Sequence, residues 1–516
     1  MRSNSSSSTI IKNALANYGG FFFQLVIAFF LSPFLVHHLG DTKYGIWSIV
    51  AALSGYMCLM DLGISSAMTK YVARYKETGE KEQSDIIIHS GFALYLSVAF
   101  LIIIVSPITA NLFIKFIKFD PSLVKIVHAL VIITSFDVAF FLVAGTFRGV
   151  FQGVQRYDTI NFILIITGAI KALCFFLLLS MGYGLLTMGI ITLAEKIITI
   201  MIFYSLMKKT IGLKFCIKKI TKSGIATILS FSFFTFLNMI ANQIIYYSDS
   251  FVIGYFASAA AVTYYTIAWS LMEYVKKFCL SFSRVFIPVF SEIEATRDYN
   301  KIQQYYINGS KYTLIISCLF CIGLIIFGKS FINLWMGGKY GLICAPILIC
   351  LVVSQFIELP HLVSLAVLLG IARHKYMSYV SLLTGIINVV LSIILIRYYG
   401  LIGVAIGTTA PQIFVYGTFM FFYTNYCIGL SRWSYIKGVY VPIVFPGLLM
   451  VGAGLICQRY IHPDNYLLLI LDACICAAVF LTAAFFTSLS KAEQEDAGRY
   501  MIRLKSKLNL AYGSVK

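Results

Sequence analysis

The chain has 516 residues, 59% of them hydrophobic and only 12% charged, with a mean hydropathy of +0.87. Soluble domains carry about 25% charged residues, so this chain has too little polar surface to cover a water-soluble body, and lipid must solvate much of it. Its formal charge of +19 comes as short basic clusters between apolar runs. That pattern argues against a nucleic-acid partner and for loops lying beside anionic lipid.

Runs of about 20 mostly apolar residues predict an all-α polytopic membrane protein with about fourteen spans. They fall at 14–36, 44–66, 86–108, 123–147, 160–181, 184–207, 224–256, 260–288, 312–335, 342–370, 376–397, 400–426, 439–458 and 466–488. The seventh, eighth and tenth exceed one bilayer thickness, which predicts tilt or turns outside the membrane. The first, Ala14 to Val36, is too long for the apolar stretch of a cleavable signal peptide. With the N-terminus on the cytoplasmic side, 28 of the 40 Lys and Arg residues fall in cytoplasmic segments and 8 in the opposite ones. The other four, Lys171, Lys196, Lys276 and Lys277, lie within spans. Such a bias over many short loops predicts that both termini are cytoplasmic.

The basic stretch Lys208–Lys222 divides six spans from eight, and the two sides are related. Leu39-Gly40-Asp41-Thr42-Lys43-Tyr44-Gly45-Ile46-Trp47-Ser48 joins the first span to the second. Tyr255 and Phe256, followed by Val262 through Ser270, join the seventh to the eighth in a similar pattern. Six spans separate the copies, so both have the same orientation. The expected organisation is two pseudo-symmetric six-helix lobes, an N-lobe at 1–207 and a C-lobe at 224–430, joined by a basic cytoplasmic linker at 208–223. A substrate path would run between them. Two further spans at 431–490 and a cytoplasmic tail at 491–516 complete the chain.

Polar side chains inside spans normally face a cavity or another helix. In the seventh span Asn238, Asn242, Tyr246 and Asp249 follow spacings of four, four and three, one helical stripe. In the eighth, Glu273, Lys276, Lys277 and Arg284 share an arc of about 100°, continued by Tyr265 and Trp269. Three cations against one acid leave a positive surplus on that helix, which is costly to bury unless water or an anion meets it. The bland readings are an i,i+4 pair between Glu273 and Lys277, asparagines acting as interhelical glue and Arg284 snorkelling to the surface. Asn13, Asn17 and Gln24 share a side of the first span, and Asp137, Lys171, Glu195, Lys196, Glu358, His361 and Asp472 interrupt other apolar runs.

No cofactor or metal site is expected. Cys318 and Cys321 form a CxxC spacing, but Leu319 and Phe320 between them place it in a membrane run, so the cysteines read as apolar fillers. The seven histidines, at 37, 38, 89, 128, 361, 374 and 462, lack metal-ligand spacing, and there is no phosphate-binding loop. An intramembrane His128 or His361 keeps a membrane acyltransferase as the enzyme alternative; the leading expectation is a non-enzyme.

The motifs resemble a family. Leu39–Trp47, with Gly40, Tyr44 and Gly45, resembles the span junction of bacterial polysaccharide flippases, the Wzx-type exporters of O-antigen and capsule. Asp61-Leu62-Gly63, leading to Tyr71-Val72-Ala73-Arg74-Tyr75, is similar to their second-span ending, and Asp249–Phe256 to their seventh span. This places the chain with the multidrug/oligosaccharidyl-lipid/polysaccharide exporter superfamily, whose drug antiporters and lipid II flippases share the architecture. The resemblance implies a V-shaped, two-lobed transporter without an ATPase. It would flip undecaprenyl-pyrophosphate-linked oligosaccharide repeat units across the bacterial inner membrane by alternating access. A polysaccharide polymerase and a chain-length regulator would be its partners. Physical chemistry agrees, since bare pyrophosphate and sugar hydroxyls cannot cross hydrocarbon. Lys276, Lys277, Arg284 and Lys171 are expected to meet the phosphates, with Tyr265 and Trp269 stacking on sugars. Asp249, Glu273, Asp137 and Glu358 are the candidates for H+ or Na+ coupling. The runner-up is a cation-coupled multidrug exporter, whose substrate would want acids rather than surplus lysines.

Overall fold

The computed structural model describes residues 3–499 other than 118, 212–218, 374, 462, 497 and 498; side chains are described from residue 19 onward, except those at 21, 210, 211, 231–235, 237, 238 and 375. Among these residues every regular element is helical. Backbone amides and carbonyls have no partner in hydrocarbon, so a spanning segment must satisfy them internally.

The helices run α1 (Ser3–Leu39), α2 (Asp41–Met57), α3 (Ile64–Thr78), α4 (Lys81–Phe116), α5 (Pro121–Gly153), α6 (Tyr157–Ser180), α7 (Leu185–Ile211), α8 (Lys222–Phe256) and α9 (Ala259–Arg284). They continue as α10 (Phe286–Ala295), α11 (Tyr299–Met336), α12 (Gly338–Glu358), α13 (Leu362–Gly370), α14 (Lys375–Phe414), α15 (Phe421–Ile428), α16 (Arg432–Val439), α17 (Val441–Tyr460) and α18 (Tyr466–Ser488). Ten helical stretches are long and apolar enough to cross a membrane alone, and the bent pair α2–α3 makes an eleventh. The 53-residue stretch Tyr376–Ile428 breaks at Gly400 (φ 57°, ψ −135°), which divides it into two. With α8 and α9, helix occupies all fourteen predicted spans. The protein is all-α and polytopic.

By packing, the chain forms two compact units, one of residues 1–267 with 376–408 and the other of 268–375 with 409–516. The division falls inside α9 and α14. Part of the predicted linker, 212–218, lies outside the described residues, as does the tail from residue 500. The core of the first unit holds Ile64, Met68, Tyr95, Phe147, Phe151 and Phe203, and that of the second Phe290, Tyr306, Val363, Tyr435 and Phe480. Beside the second core, Glu493 accepts from Lys311 Nζ at 2.9 and 3.0 Å and from the Tyr312 hydroxyl. Partial burial pushes its carboxyl up, but the bonds from Tyr312, Ser490 and Lys311 outweigh this and hold it down at about 2.

Two sequence motifs acquire physical reasons in the first unit. Asp61 ends a 3-10 turn at Cys58–Asp61, and its Oδ1 accepts from the Ser65 amide at 3.2 Å and the Tyr95 hydroxyl at 2.9 Å. Leu62 and Gly63 follow with φ of 53° and 80°, a left-handed step that bends the second span by 43°. Glycine takes that conformation at little cost. Arg74 lies exposed on α3, about three turns further on.

The junction of α1 and α2 packs on the start of α9. Thr263 Oγ1 donates to the Asp41 carbonyl at 2.7 Å, and the Tyr264 hydroxyl to Asp41 Oδ2 at 2.9 Å. A Cβ on Gly45 would collide with the Ala259 carbonyl. Tyr44 is buried beside it, 3.4 Å from the Ser32 hydroxyl, and Gly40 makes the left-handed turn (φ 76°) between α1 and α2. Helices in lipid associate through such close approaches rather than through expulsion of water. Gly45→Val is therefore expected to cost roughly 1–3 kcal/mol of stability. Melting of the purified protein in detergent checks this; a melting temperature equal to wild type would show that the contact is not tight.

Candidate functional site

Three centres gather most of the ionisable residues expected within spans; Asp472 of α18 stands apart, buried beside Cys457. In the first unit, Asp249 of α8 is buried, at 3% exposure. Its Oδ2 accepts from the Tyr265 hydroxyl at 2.6 Å and Thr408 Oγ1 at 2.7 Å, and its Oδ1 from Ser392 Oγ at 3.5 Å. Asn388 extends the network, with Nδ2 2.9 Å from Thr408 Oγ1 and Oδ1 3.4 Å from Ser248 Oγ. The Val404 carbonyl also lies within 3.1 Å of Thr408 Oγ1. Among the described residues no cation pairs with Asp249; hydroxyls satisfy it instead. The result is a small, oxygen-rich cage of the kind that suits a proton or a hard cation.

The same unit carries a second centre where α5, α6 and α7 meet. Glu195 is buried and accepts from Lys196 Nζ at 2.5 Å and Thr199 Oγ1 at 3.0 Å, with Lys171 Nζ at 3.7 Å. Asp137 faces this triad from α5, and its Oδ1 is buried without a hydrogen-bond partner. Lys171 and Lys196 keep 30% and 21% of their side-chain surface open. A lysine ammonium is costly in hydrocarbon, and the ion pairs with Glu195 offset part of that cost.

The second unit corrects the charge count expected for the eighth span. Lys276 is buried, and its Nζ lies 2.5 Å from Glu358 Oε1 of α12. Gln355 Nε2 supports the other oxygen of Glu358 at 3.1 Å and also reaches Ser354 Oγ at 3.0 Å. Lys277 sits 3.5 Å from Glu273, with 47% of its side chain open, and Glu273 Oε2 is buried without a partner. Arg284 is exposed as the last residue of α9. The expected surplus of two positive charges on this helix is thus reduced to Arg284. A count made along one helix left out Glu358, which arrives from another.

The remaining expected residues divide. Tyr265 is buried and serves Asp249, while Trp269 is half-buried in the second unit. Of the seventh-span stripe, Asn242 is exposed, Tyr246 half-buried and Asp249 buried. The side chains of Asn238, Asn13 and Asn17 lie outside the described residues, as do His374 and His462. His361 does not suit catalysis on a substrate. It is 1% exposed, 2.9 Å from Ser364 Oγ and stacked on Tyr435 at 5.7 Å, which makes it a packing residue. Cys318 and Cys321 are buried free thiols, and the described residues contain no group of three His, Cys, Asp or Glu able to hold a metal. Residue spacing did not reveal Ser392, Asn388 and Thr408. Their serine, threonine and asparagine types are common in membrane helices, and only Asp249 signalled the need for partners.

Fold and sites together define a multi-pass membrane protein with ionisable groups at mid-span. Residues 10–294 match the family described as "Polysaccharide biosynthesis protein". The chain belongs to that family, as its motifs had indicated, and is a flippase or exporter of polysaccharide biosynthesis. It is 21% identical over 434 residues to the "Putative O-antigen transporter" of Shigella flexneri, covering 81% of this chain and 99% of that protein. It is likewise 21% identical to the "Probable low-salt glycan biosynthesis flippase Agl15" of Haloferax volcanii, over 73% of this chain and 75% of that one. In fold it is similar to the lipid II flippase MurJ in an inward closed conformation, with a TM-score of 0.74, 19% identity and coverage of 92% and 98%. An inward-facing multidrug MATE transporter gives a TM-score of 0.70 at 15% identity, with coverage of 80% and 94%.

Breaking a buried ion pair leaves one charge uncompensated, at a cost of roughly 3–5 kcal/mol. Lys276→Met alone should therefore destabilise the protein by about that amount, and adding Glu358→Gln should recover most of it. A double-mutant cycle on melting in detergent measures the coupling. Additive losses would mean that the two side chains do not depend on each other.

Proposed function

We propose that this protein flips undecaprenyl-pyrophosphate-linked oligosaccharide repeat units from the cytoplasmic to the outer face of a bacterial inner membrane, with both termini cytoplasmic. The observation that carries the reading is membership of the polysaccharide biosynthesis family over residues 10–294. The names of the Shigella and Haloferax relatives support it, as do lysines partly open at mid-span, which suit phosphates that must leave water. The two halves of the internal repeat would act as lobes that alternate access to the substrate. Lys171 and Lys196 share the single acid Glu195 and stay partly open, and with Arg284 they are the cations proposed to meet a pyrophosphate. A polymerase and a chain-length regulator would act on the flipped unit.

Asp249 is the coupling residue in this reading. Its carboxylate, the Ser392 and Thr408 hydroxyls and the nearby Val404 carbonyl offer oxygens to a sodium ion. The same carboxyl would carry a proton in a proton-driven cycle. Glu358 and Glu273 are weaker candidates because each already has a lysine. The fold shared with a multidrug transporter keeps drug export as the second reading.

Deleting the gene should abolish a surface glycan that the wild-type copy restores, and Asp249→Asn should restore less than about a tenth of it at equal membrane abundance. Uptake of a labelled lipid-linked oligosaccharide by proteoliposomes, under a sodium gradient at fixed pH and then a pH gradient without sodium, identifies the ion. Unchanged glycan in the deletion strain, with raised resistance to cationic dyes on overexpression, would replace the flippase reading with the drug exporter.

A further inference from the structure

The Asp137 centre differs from the other two in its charge balance. Two lysines, Lys171 and Lys196, share one glutamate, Glu195. The triad alone carries one positive charge, and an ionised Asp137 brings the group to neutrality. Yet Asp137 makes no ion pair within 4 Å among the described residues, and its Oδ1 is buried with no hydrogen-bond partner. Salt bridges and hydrogen bonds lock Lys276–Glu358 and Asp249 in place; nothing comparable locks Asp137. It balances the lysines from a distance and can be replaced in that task.

We infer that this centre in the first unit is an anion site in which the phosphate of a prenyl pyrophosphate takes the place of the Asp137 charge, so that one proton is taken up for each anion bound. The proton comes from solvent and ends on the Asp137 carboxyl. The anion accepts hydrogen bonds from the two ammonium groups. No covalent bond changes. Were Asp137 to stay ionised, anion and carboxylate would face each other across the same lysines, and like charges at close range in a poorly screened site repel strongly. Neutralising Asp137 removes that repulsion while Glu195 continues to hold the lysines in place.

The charged and titratable groups around Asp137 are few. Lys196 and Glu195 face it from α7 and Lys171 from α6, and Cys58 of the 3-10 turn is within electrostatic reach. Arg148, on α5 itself, acts on Cys58 from the other side and lies over the Phe141 ring at 4.1 Å. None of these groups forms a salt bridge with Asp137, so its charge is free to change.

The inference rests on the flippase reading only for the identity of the anion. Its test is binding, not transport. Farnesyl pyrophosphate is titrated calorimetrically into the full-length protein in nanodiscs, in buffers of different ionisation enthalpy. Wild type should take up about one proton per ligand more than Asp137→Asn does, and its affinity should fall by up to tenfold per pH unit above the titration of Asp137. Asp137→Asn should bind with an affinity that does not share this fall. Lys171→Met/Lys196→Met should weaken binding more than tenfold, and Asp137→Glu should restore the proton uptake. Monodisperse elution and unchanged melting confirm that each variant is folded. Equal proton uptake by wild type and Asp137→Asn, or wild-type affinity in the double lysine variant, would overturn the inference. Loss of the glycan phenotype in the deletion test, with the linkage intact, would overturn the flippase reading alone.

Discussion

A charge inside a membrane helix must find its partner within the protein, because the lipid offers none, and the functional layout of this chain follows from how each carboxylate meets that demand. Asp61 uses an amide and a phenol at a helix start. Glu358 uses a lysine and a glutamine amide. Glu195 draws in two lysines and a threonine. Asp249 uses three hydroxyls and no cation. These solutions do not serve the same ends. An ion pair such as Lys276–Glu358 is neutral as a unit and holds α9 to α12. A hydroxyl cage leaves the charge itself unbalanced, so a cation that enters it gains the full attraction.

The junction of the internal repeat imposes a second constraint on the first unit. Gly45 lies against the Ala259 carbonyl, and the Thr263 and Tyr264 hydroxyls grip Asp41. These bonds fix the start of α9. Tyr265 is the next residue, and its hydroxyl serves Asp249. The family motif around Gly40, Tyr44 and Gly45 thus supports the Asp249 cage at one remove. A motif that touches no substrate still belongs to the functional apparatus, because it sets where Tyr265 stands.

Much of the fold was legible because lipid leaves few choices. Long apolar runs became helices at every predicted span, and the broken second span was signalled by Asp61-Leu62-Gly63, a left-handed step before a new helix start. The sites were legible only in part. Asp249 stood out because an acid in an apolar run is conspicuous, whereas Thr408 and Ser392, more than 140 residues away, carry no signal of their own. The error on the eighth span has the same origin. Helical spacing tells which residues share a face of one helix, but Lys276 is balanced by Glu358, 82 positions later.

That correction changes which charges can do work. Sequence alone put the positive surplus on Lys276, Lys277 and Arg284. With two of these paired with acids, the first unit holds two lysines that share one glutamate, balanced from a distance by Asp137, and Asp249, which no cation pairs among the described residues. In the proposed reading the lysine triad binds the anionic cargo and the Asp249 cage binds a cation or a proton. A transporter that moves an anionic lipid against its concentration needs both: a site whose occupancy by the cargo carries negative charge, and a site whose occupancy by the driving ion carries positive charge. Both centres belong to the same compact unit, so in the proposed reading the binding of each ligand would change the electrostatic cost of binding the other. Coupling between cargo and ion then requires no shared residue, only that α5, α6, α7 and α8 respond to two charges of opposite sign.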